Sequence, residues 1–268
     1  MIIEGNAIAR EILTDVKQKI KESGIIPRLT VFTCAPNFET QKFLNLKQKR
    51  AAEVGIQVEL RTLDANCTTE MVVAAISECL PVSDGVIVQL PFPAQVDANI
   101  ILAAVPVSHD VDVLRYAGEA TSILPPVVGA IDEISTRESV VWRGKRVVVV
   151  GTGRLVGAPS ACYARNRGSE VIVVTRETAE APTLIASADI LILGAGVPGL
   201  ITAHMVKPGV VVFDAGTTEE GGVLVGDATT EVAMVATLVT PVPGGIGPIT
   251  VAILLKNLLL LKKMPVVK

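Results

Sequence analysis

A lysine set into an otherwise apolar helical face is the first residue of this chain that could do chemistry. In TQKFLNLKQKRAAEV, Phe43, Lys47, Ala51 and Val54 fall at helical spacing on one stripe of a helix from Thr40 to Val54, closed by Gly55. In a largely desolvated cleft the pKa of such an amine falls toward neutrality, so it could accept a proton or hold a water for attack. The plainer alternative is a stem lying along the core with its ammonium in water. Gln89, where a buried strand runs into LPFP, is the second candidate, because a buried amide needs partners and can orient a nearby amine. Asp112, in HDVD, is the third. Its two oxygens can accept a pair of N–H bonds from an amino-substituted heterocycle. A core amide and a loop turn are the ordinary explanations of these two residues taken singly. Together the three point to one cleft.

A second constellation lies between Arg146 and Thr178. An aliphatic run, Val147 to Val150, is too short for a helix and stops at Gly151, so it reads as a buried strand. A turn with Gly151, Gly153 and Gly157 follows, then a small-residue helix from Ala158 to Asn166, a break at Gly168, and a second strand, Val171 to Val174. Such a βαβ turn leaves backbone N–H groups at a helix start, where a pyrophosphate fits. The spacing G-x-G-x-x-x-G is one residue longer than the common dinucleotide fingerprint. A plain strand-to-helix turn is the competing reading, and the order of strand, turn, helix and strand favours a dinucleotide.

Other elements must hold these residues in place. Ile8, Ile12, Val16 and Ile20 mark an amphipathic helix over residues 6–22. Strands are expected at Leu29 to Thr33, Gln57 to Leu63 and Gly85 to Gln89, with Thr40 capping the lysine helix and a further helix from Thr68 to Cys79. Two prolines in LPFP make a rigid wall past the third strand's end, which is where ligands bind in open α/β sheets. A short helix covers Asn99 to Ala104, and HDVD follows in a loop. LPPVV, up to Val128, reads as a linker into a helix from Gly129 to Arg137. Ala188 to Leu193 and Val210 to Asp214 continue the second sheet, each running into glycine (Gly194, Gly196; Gly216). TPVPGGIGPIT, 240–250, is expected to be a rigid loop, and the last helix runs from about Ile249 to Lys263.

Composition narrows the class. With 268 residues, 50% apolar and 19% charged, the chain can bury a large core in two lobes. Aromatics are only 3%, so that core is aliphatic, as in parallel sheets covered on both faces. A net charge of -3 and few rings argue against a nucleic-acid partner. Cys34, Cys67, Cys79 and Cys162 form no C-x-x-C pair and His109 and His204 lie far apart, so no metal site is expected. Met1 to Ala7 shows no signal-peptide pattern, and the longest apolar run, Val251 to Leu261, is broken by Lys256 and Asn257. A cytoplasmic protein with no membrane partner is the expectation.

Four stretches, TQKFLNLKQKRAAEVGI (40–56), DGVIVQLPFP (84–93), VVGTGRLVGAP (149–159) and TPVPGGIGPIT (240–250), carry a resemblance over nearly the whole chain. With support from DVD (110–112) and KPGVVVFDAG (207–216), the sequence resembles the bifunctional methylenetetrahydrofolate dehydrogenase/cyclohydrolase family. The resemblance implies two α/β lobes with a folate cleft between them, the C-terminal one a Rossmann-type doubly wound parallel sheet. The expected division is a catalytic and folate-binding lobe over 1–118, joined by a C-terminal helix over 247–268, and a Rossmann lobe over 119–246. It further implies a homodimer, with Lys47 catalytic, Gln89 its tuning partner and Asp112 the pterin anchor. Phe43, Leu90, Pro91, Pro243 and Gly244 would line the substrate. Gly151, Thr152, Gly153, Arg154, Gly157, Arg176, Gly194, Gly196 and Thr250 would hold the nucleotide. The implied chemistry is oxidation of methylene-tetrahydrofolate by NADP, or NAD, and hydrolysis of the methenyl product to formyl-tetrahydrofolate.

The chain departs from that family at informative positions. Phe43 stands where a tyrosine is usual, which removes a hydroxyl beside Lys47 and makes a dehydrogenase without strong cyclohydrolase activity an alternative. DVDG becomes DVDV at Val113. The usual proline, cysteine, threonine, proline stretch is replaced by Pro125, Pro126, Val127 and Val128. Gly151-Thr152-Gly153 replaces a glycine-arginine-serine start, so Arg176 is the expected contact for a 2′-phosphate. A nucleotide-binding regulatory protein without turnover is a further alternative, against which Lys47, Gln89 and Asp112 together argue.

Overall fold

The computed structural model describes residues 1–118 and 123–262. The chain divides into two compact units, and helices at both ends of the sequence begin in one unit and finish in the other.

Among the described residues, one unit holds Arg10–Leu114, Ile123 and Leu124, and residues 251–262. Its elements are most of α1 (Gly5–Ser23), β1 (Arg28–Cys34), α2 (Phe38–Val54), β2 (Gln57–Leu63), α3 (Thr69–Cys79), β3 (Gly85–Val88) and α4 (Ala98–Ala103). The strands form a parallel sheet in the order β2-β1-β3. Alternation along β1 divides its side chains between two faces. Phe32 and Cys34 pack with Val72, Ile76 and Ile101 from α3 and α4, while Leu29 lies on the other face, close to Gly85. A Cβ on Gly85 would lie 2.6 Å from Leu258 and 2.7 Å from Val111, so the chain's last helix covers β3. Asn257 secures that helix by donating to the carbonyls of Val111 at 3.0 Å and Leu124 at 2.9 Å.

The other unit holds Met1–Ala9 and Pro125–Thr250. It contains α5 (Pro126–Arg137), β4 (Arg146–Val150), α6 (Gly157–Asn166), β5 (Glu170–Val174), α7 (Ala181–Ser187), β6 (Ile190–Leu193), β7 (Val211–Asp214), a hairpin of β8 (Thr218–Glu220) and β9 (Val223–Val225), and β10 (Leu238–Val239). Five parallel strands run in the order β10-β7-β6-β4-β5. Counted from β4 this is 2-1-3-4-5, a doubly wound sheet whose order reverses between β4 and β6, and the carboxyl ends of those strands form the crevice of the fold. The first residues of the chain add to its edge, the Ile3 N–H donating to the Val239 carbonyl at 3.0 Å.

Several expected boundaries move for physical reasons. Asn37, not Thr40, caps α2: its side chain accepts the Thr40 N–H at 2.9 Å, and Thr40 is buried inside the helix. Pro126 and the two valines after it belong to α5 rather than to a linker, because proline's missing N–H costs nothing in a first turn. For the same reason α8 (Ile246–Leu261) starts ahead of Pro248, so the rigid loop ends at Gly245 and Thr250 is helical. The expected helix end at Lys263, the tail to residue 268 and the division between residues 118 and 119 reach residues outside those described.

Candidate active site

The amine expected to do chemistry is held by the strand that was expected to meet it. Lys47 lies in the third turn of α2, and Gln89 follows β3, where its N–H still bonds the Phe32 carbonyl of β1 at 2.8 Å. Lys47 Nζ donates to Gln89 Oε1 at 2.8 Å, and Gln89 Nε2 donates to the Leu90 carbonyl at 3.3 Å. Gln89 is thereby fixed at both ends of its amide. Burial holds the Lys47 ammonium below the ordinary lysine value, and the Asp112 carboxylate works against that shift. Burial likewise pushes Asp112 above the ordinary carboxylate range, with Lys47 opposing it. These paired influences put Lys47, Gln89 and Asp112 in one electrostatic neighbourhood of a single unit.

The loop that delivers Asp112 is strained. Asp110 bridges to Val86 of β3, and Val113 then adopts φ 53, a left-handed backbone that a β-branched side chain disfavours. Asp110 is 5% exposed; its Oδ2 accepts the Leu114 N–H at 2.8 Å, and its Oδ1 has no hydrogen-bond partner among the described residues. Burial pushes its pKa up to about 6. Phe43, one turn before Lys47 on the same stripe, is half-buried; Leu90 is half-buried and Pro91 exposed, joined by a cis peptide.

On the other unit, the glycines of the βαβ turn are required by contact. A Cβ on Gly151 would lie 2.5 Å from the Gly194 carbonyl oxygen, one on Gly157 would overlap the Gly151 carbonyl, and one on Gly194 would lie 2.5 Å from Val156. The ends of β4 and β6 and the start of α6 therefore touch backbone to backbone. Gly153 is different: its side faces open space, with Gly194 O at 4.0 Å the nearest atom to an added Cβ. No side chain caps α6; the Ala158 N–H is taken by the Gly153 carbonyl at 3.1 Å and Pro159 has none, so the Gly157 amide at the helix start is the one that an anion would meet. That open face beside an uncapped helix start fits a dinucleotide pyrophosphate. Thr152, Gly153 and Arg154 are exposed over this turn, and Arg176 is exposed just past β5. Gly196 has φ 65, as a turn glycine should. Thr250 instead directs its hydroxyl to the Ile246 carbonyl of its own helix at 3.0 Å. Pro243 is exposed after a cis peptide, and Gly244 has φ 103.

Two carboxylates escaped the sequence reading. Asp214, at the end of β7, and Asp227 are both buried, at 2% and 0% exposure. The signal was present in the sequence: an aspartate closing an aliphatic strand before Gly216, and another directly after Gly226. A Cβ on either glycine would overlap one of these carboxyl groups. Burial, reinforced by the Asp227 charge, pushes Asp214 up to about 6.

A two-domain α/β architecture with a nucleotide-binding parallel sheet defines the class. Within it, the model for the tetrahydrofolate dehydrogenase/cyclohydrolase catalytic domain matches residues 3–112, and that for the NAD(P)-binding domain matches residues 125–265. The chain belongs to the tetrahydrofolate dehydrogenase/cyclohydrolase family. A relative from Heliobacterium modesticaldum, named bifunctional protein FolD, is 35% identical over an alignment 272 positions long that covers 96% of this chain and 94% of its own. The crystal structure of FolD methylenetetrahydrofolate dehydrogenase/cyclohydrolase from Campylobacter jejuni matches at a TM-score of 0.92 and 31% identity, covering 98% of each chain. FolD of Trypanosoma brucei, solved with NADP cofactor and an inhibitor, matches at 0.91 and 31%, covering 98% of this chain and 97% of its own.

Proposed function

We propose that this chain oxidises methylene-tetrahydrofolate to methenyl-tetrahydrofolate with NADP and then hydrolyses the product to formyl-tetrahydrofolate. The observation that carries the reading is the half-buried Lys47, bonded to Gln89 and opposed in its pKa shift by Asp112, in a chain of this family. Bound NADP supplies one thing, an acceptor for the hydride leaving the methylene bridge. The turn at Gly151, Thr152, Gly153, Arg154 and Gly157 would bind its pyrophosphate. Arg176 would meet a 2′-phosphate, and Gly194 and Gly196 would let the dinucleotide lie close to the end of β6. Thr250 would contribute through its position at the start of α8.

For hydrolysis, water adds to the methenyl carbon, one carbon–nitrogen bond opens, and a proton is released. Lys47, its pKa lowered by burial, would in its neutral form take the proton from that water as it attacks. Gln89 fixes the amine's direction, and Asp112 would anchor the pterin while limiting how far the lysine pKa falls. Phe43, Leu90, Pro91, Pro243 and Gly244 would bound the folate. A dehydrogenase with weak hydrolysis is the second reading, favoured by Phe43, which offers Lys47 no hydroxyl.

The reading extends to a cytoplasmic homodimer. The four free cysteines suit a reducing compartment, and no described helix is long and apolar enough to cross a membrane. The experiment for the whole reading is an assay of purified protein with methylene-tetrahydrofolate and NADP or NAD. Reduced nucleotide should accumulate, with NADP preferred; no reduction of either cofactor would remove the proposal.

A further inference from the structure

Beyond the turn and helix that cradle the pyrophosphate, the C-terminal edge of the second sheet holds an anion site that is already filled from within. Three consecutive N–H groups after β6 converge on one side chain: Ala195, Gly196 and Val197 donate to the Asp227 carboxylate at 2.7, 3.2 and 2.8 Å. Successive amides of this kind form a concavity that attracts anions. Here the anion is a fully buried aspartate from a distant loop. That aspartate is held in turn. Its N–H donates to Asp214 Oδ1 at 3.3 Å and its carbonyl accepts the Ile201 N–H at 2.8 Å. Asp214 also receives the N–H groups of Gly216 at 2.9 Å and Ala228 at 2.8 Å. Glycines at 216 and 226 let the two carboxyl groups nest against backbone where any side chain would collide. The loops after β6 and β7 are therefore tied into one unit.

In a doubly wound sheet the dinucleotide crosses the switch point, here between β4 and β6. With its pyrophosphate at α6 and its adenosine toward β5, the nicotinamide half falls over the loop that follows β6. We propose that Asp227 is a positioning residue for the nucleotide: it fixes the backbone at Ala195–Val197 in the receptive shape before any nucleotide arrives. The inference rests on the NADP reading above. It adds that this loop is prepared by an internal carboxylate and not by the ligand's own phosphates. The loop's three amides are occupied by Asp227, so what it offers the nicotinamide half is shape, and the energy of ordering it is not drawn from nucleotide binding.

Two measurements test this. Titration calorimetry of the full chain with NADP compares wild type and Asp227→Asn, a change that keeps the size but turns part of the acceptor into an N–H donor. The Kd and the KM for NADP should both rise at least about tenfold, while a Kd within about twofold of wild type overturns the proposal. Hydrogen exchange of the wild-type chain without nucleotide reads the loop directly. The amides of Ala195–Val197 should already be slow, with NADP adding little protection; fast exchange that becomes slow only with NADP overturns the proposal even if Asp227→Asn fails to fold. Wild-type protein that binds no NADP is a separate failure, that of the cofactor reading itself.

Discussion

Lys47 and Gln89, 42 residues apart in sequence, share a 2.8 Å hydrogen bond that joins the face of α2 to the end of β3. With the amine's direction fixed, burial dominates its protonation and the carboxylate of Asp112 opposes that influence. Burial lowers the Lys47 pKa and Asp112 raises it, so Asp112→Asn should let it fall further. The pH–rate limb of methenyl hydrolysis that reports Lys47 should then move to lower pH at saturating substrate. Lys47→Ala should slow hydrolysis by about 100-fold or more, the scale of a positioned acid–base group. Wild-type rates in that variant would remove Lys47 from the mechanism.

Phe43 sits one helical turn before Lys47, close enough along the stripe for a para hydroxyl to reach the amine's surroundings. Phe43→Tyr should therefore raise the hydrolysis rate relative to the dehydrogenase rate. Stopped-flow decay of the methenyl absorbance measures it, and an unchanged ratio means the missing hydroxyl is not what limits the step.

Val113 carries a strain in its left-handed backbone that glycine would not. The strain is about 1–2 kcal/mol for a non-glycine residue, and glycine's greater unfolded-state freedom offsets about half of it. The net gain of about 0.5–1 kcal/mol means that Val113→Gly should raise the melting temperature by about 1–4 °C. A lower melting temperature would show that the valine side chain contributes packing that outweighs the strain.

Asp110 gives a pH signature. Its folded pKa, about 6, lies above the ordinary 3.8, so its contribution to stability is fully present below pH 3.8 and is lost as pH rises through 6. Above that pH the native state must hold a buried carboxylate charge. Asparagine keeps an acceptor for the Leu114 N–H and carries no charge. The stability of Asp110→Asn relative to wild type should therefore improve between pH 4.5 and pH 8, on the order of 1–3 kcal/mol, measured by urea unfolding at each pH. A difference that stays flat with pH would rule out titration of this residue in the folded chain.

Much of this was legible in the sequence because the strands are aliphatic and short. The runs at Val147, Ile190 and Val211 could belong only to a buried parallel sheet, and Lys47 stood out because its neighbours on the stripe are apolar. What escaped depended on contacts across the chain. β8 and β9 are three residues each, and their pairing rests on the turn at Gly221 and Gly222 rather than on a long alternation. The capping of α2 fell to Asn37 because two polar residues, Asn37 and Thr40, compete for the start of that helix and only the folded backbone chooses between them. Asp214 and Asp227 are 13 positions apart, and nothing local shows that one holds the other in place.

The covering of Gly85 by Leu258 bears on how the molecule is made. A ribosome delivers the second, five-stranded sheet before it delivers the helix that closes the first, three-stranded one. The three strands, made before that helix, must therefore wait with one apolar side uncovered until α8 has been synthesised, and a nonsense codon ahead of Leu258 would leave them open.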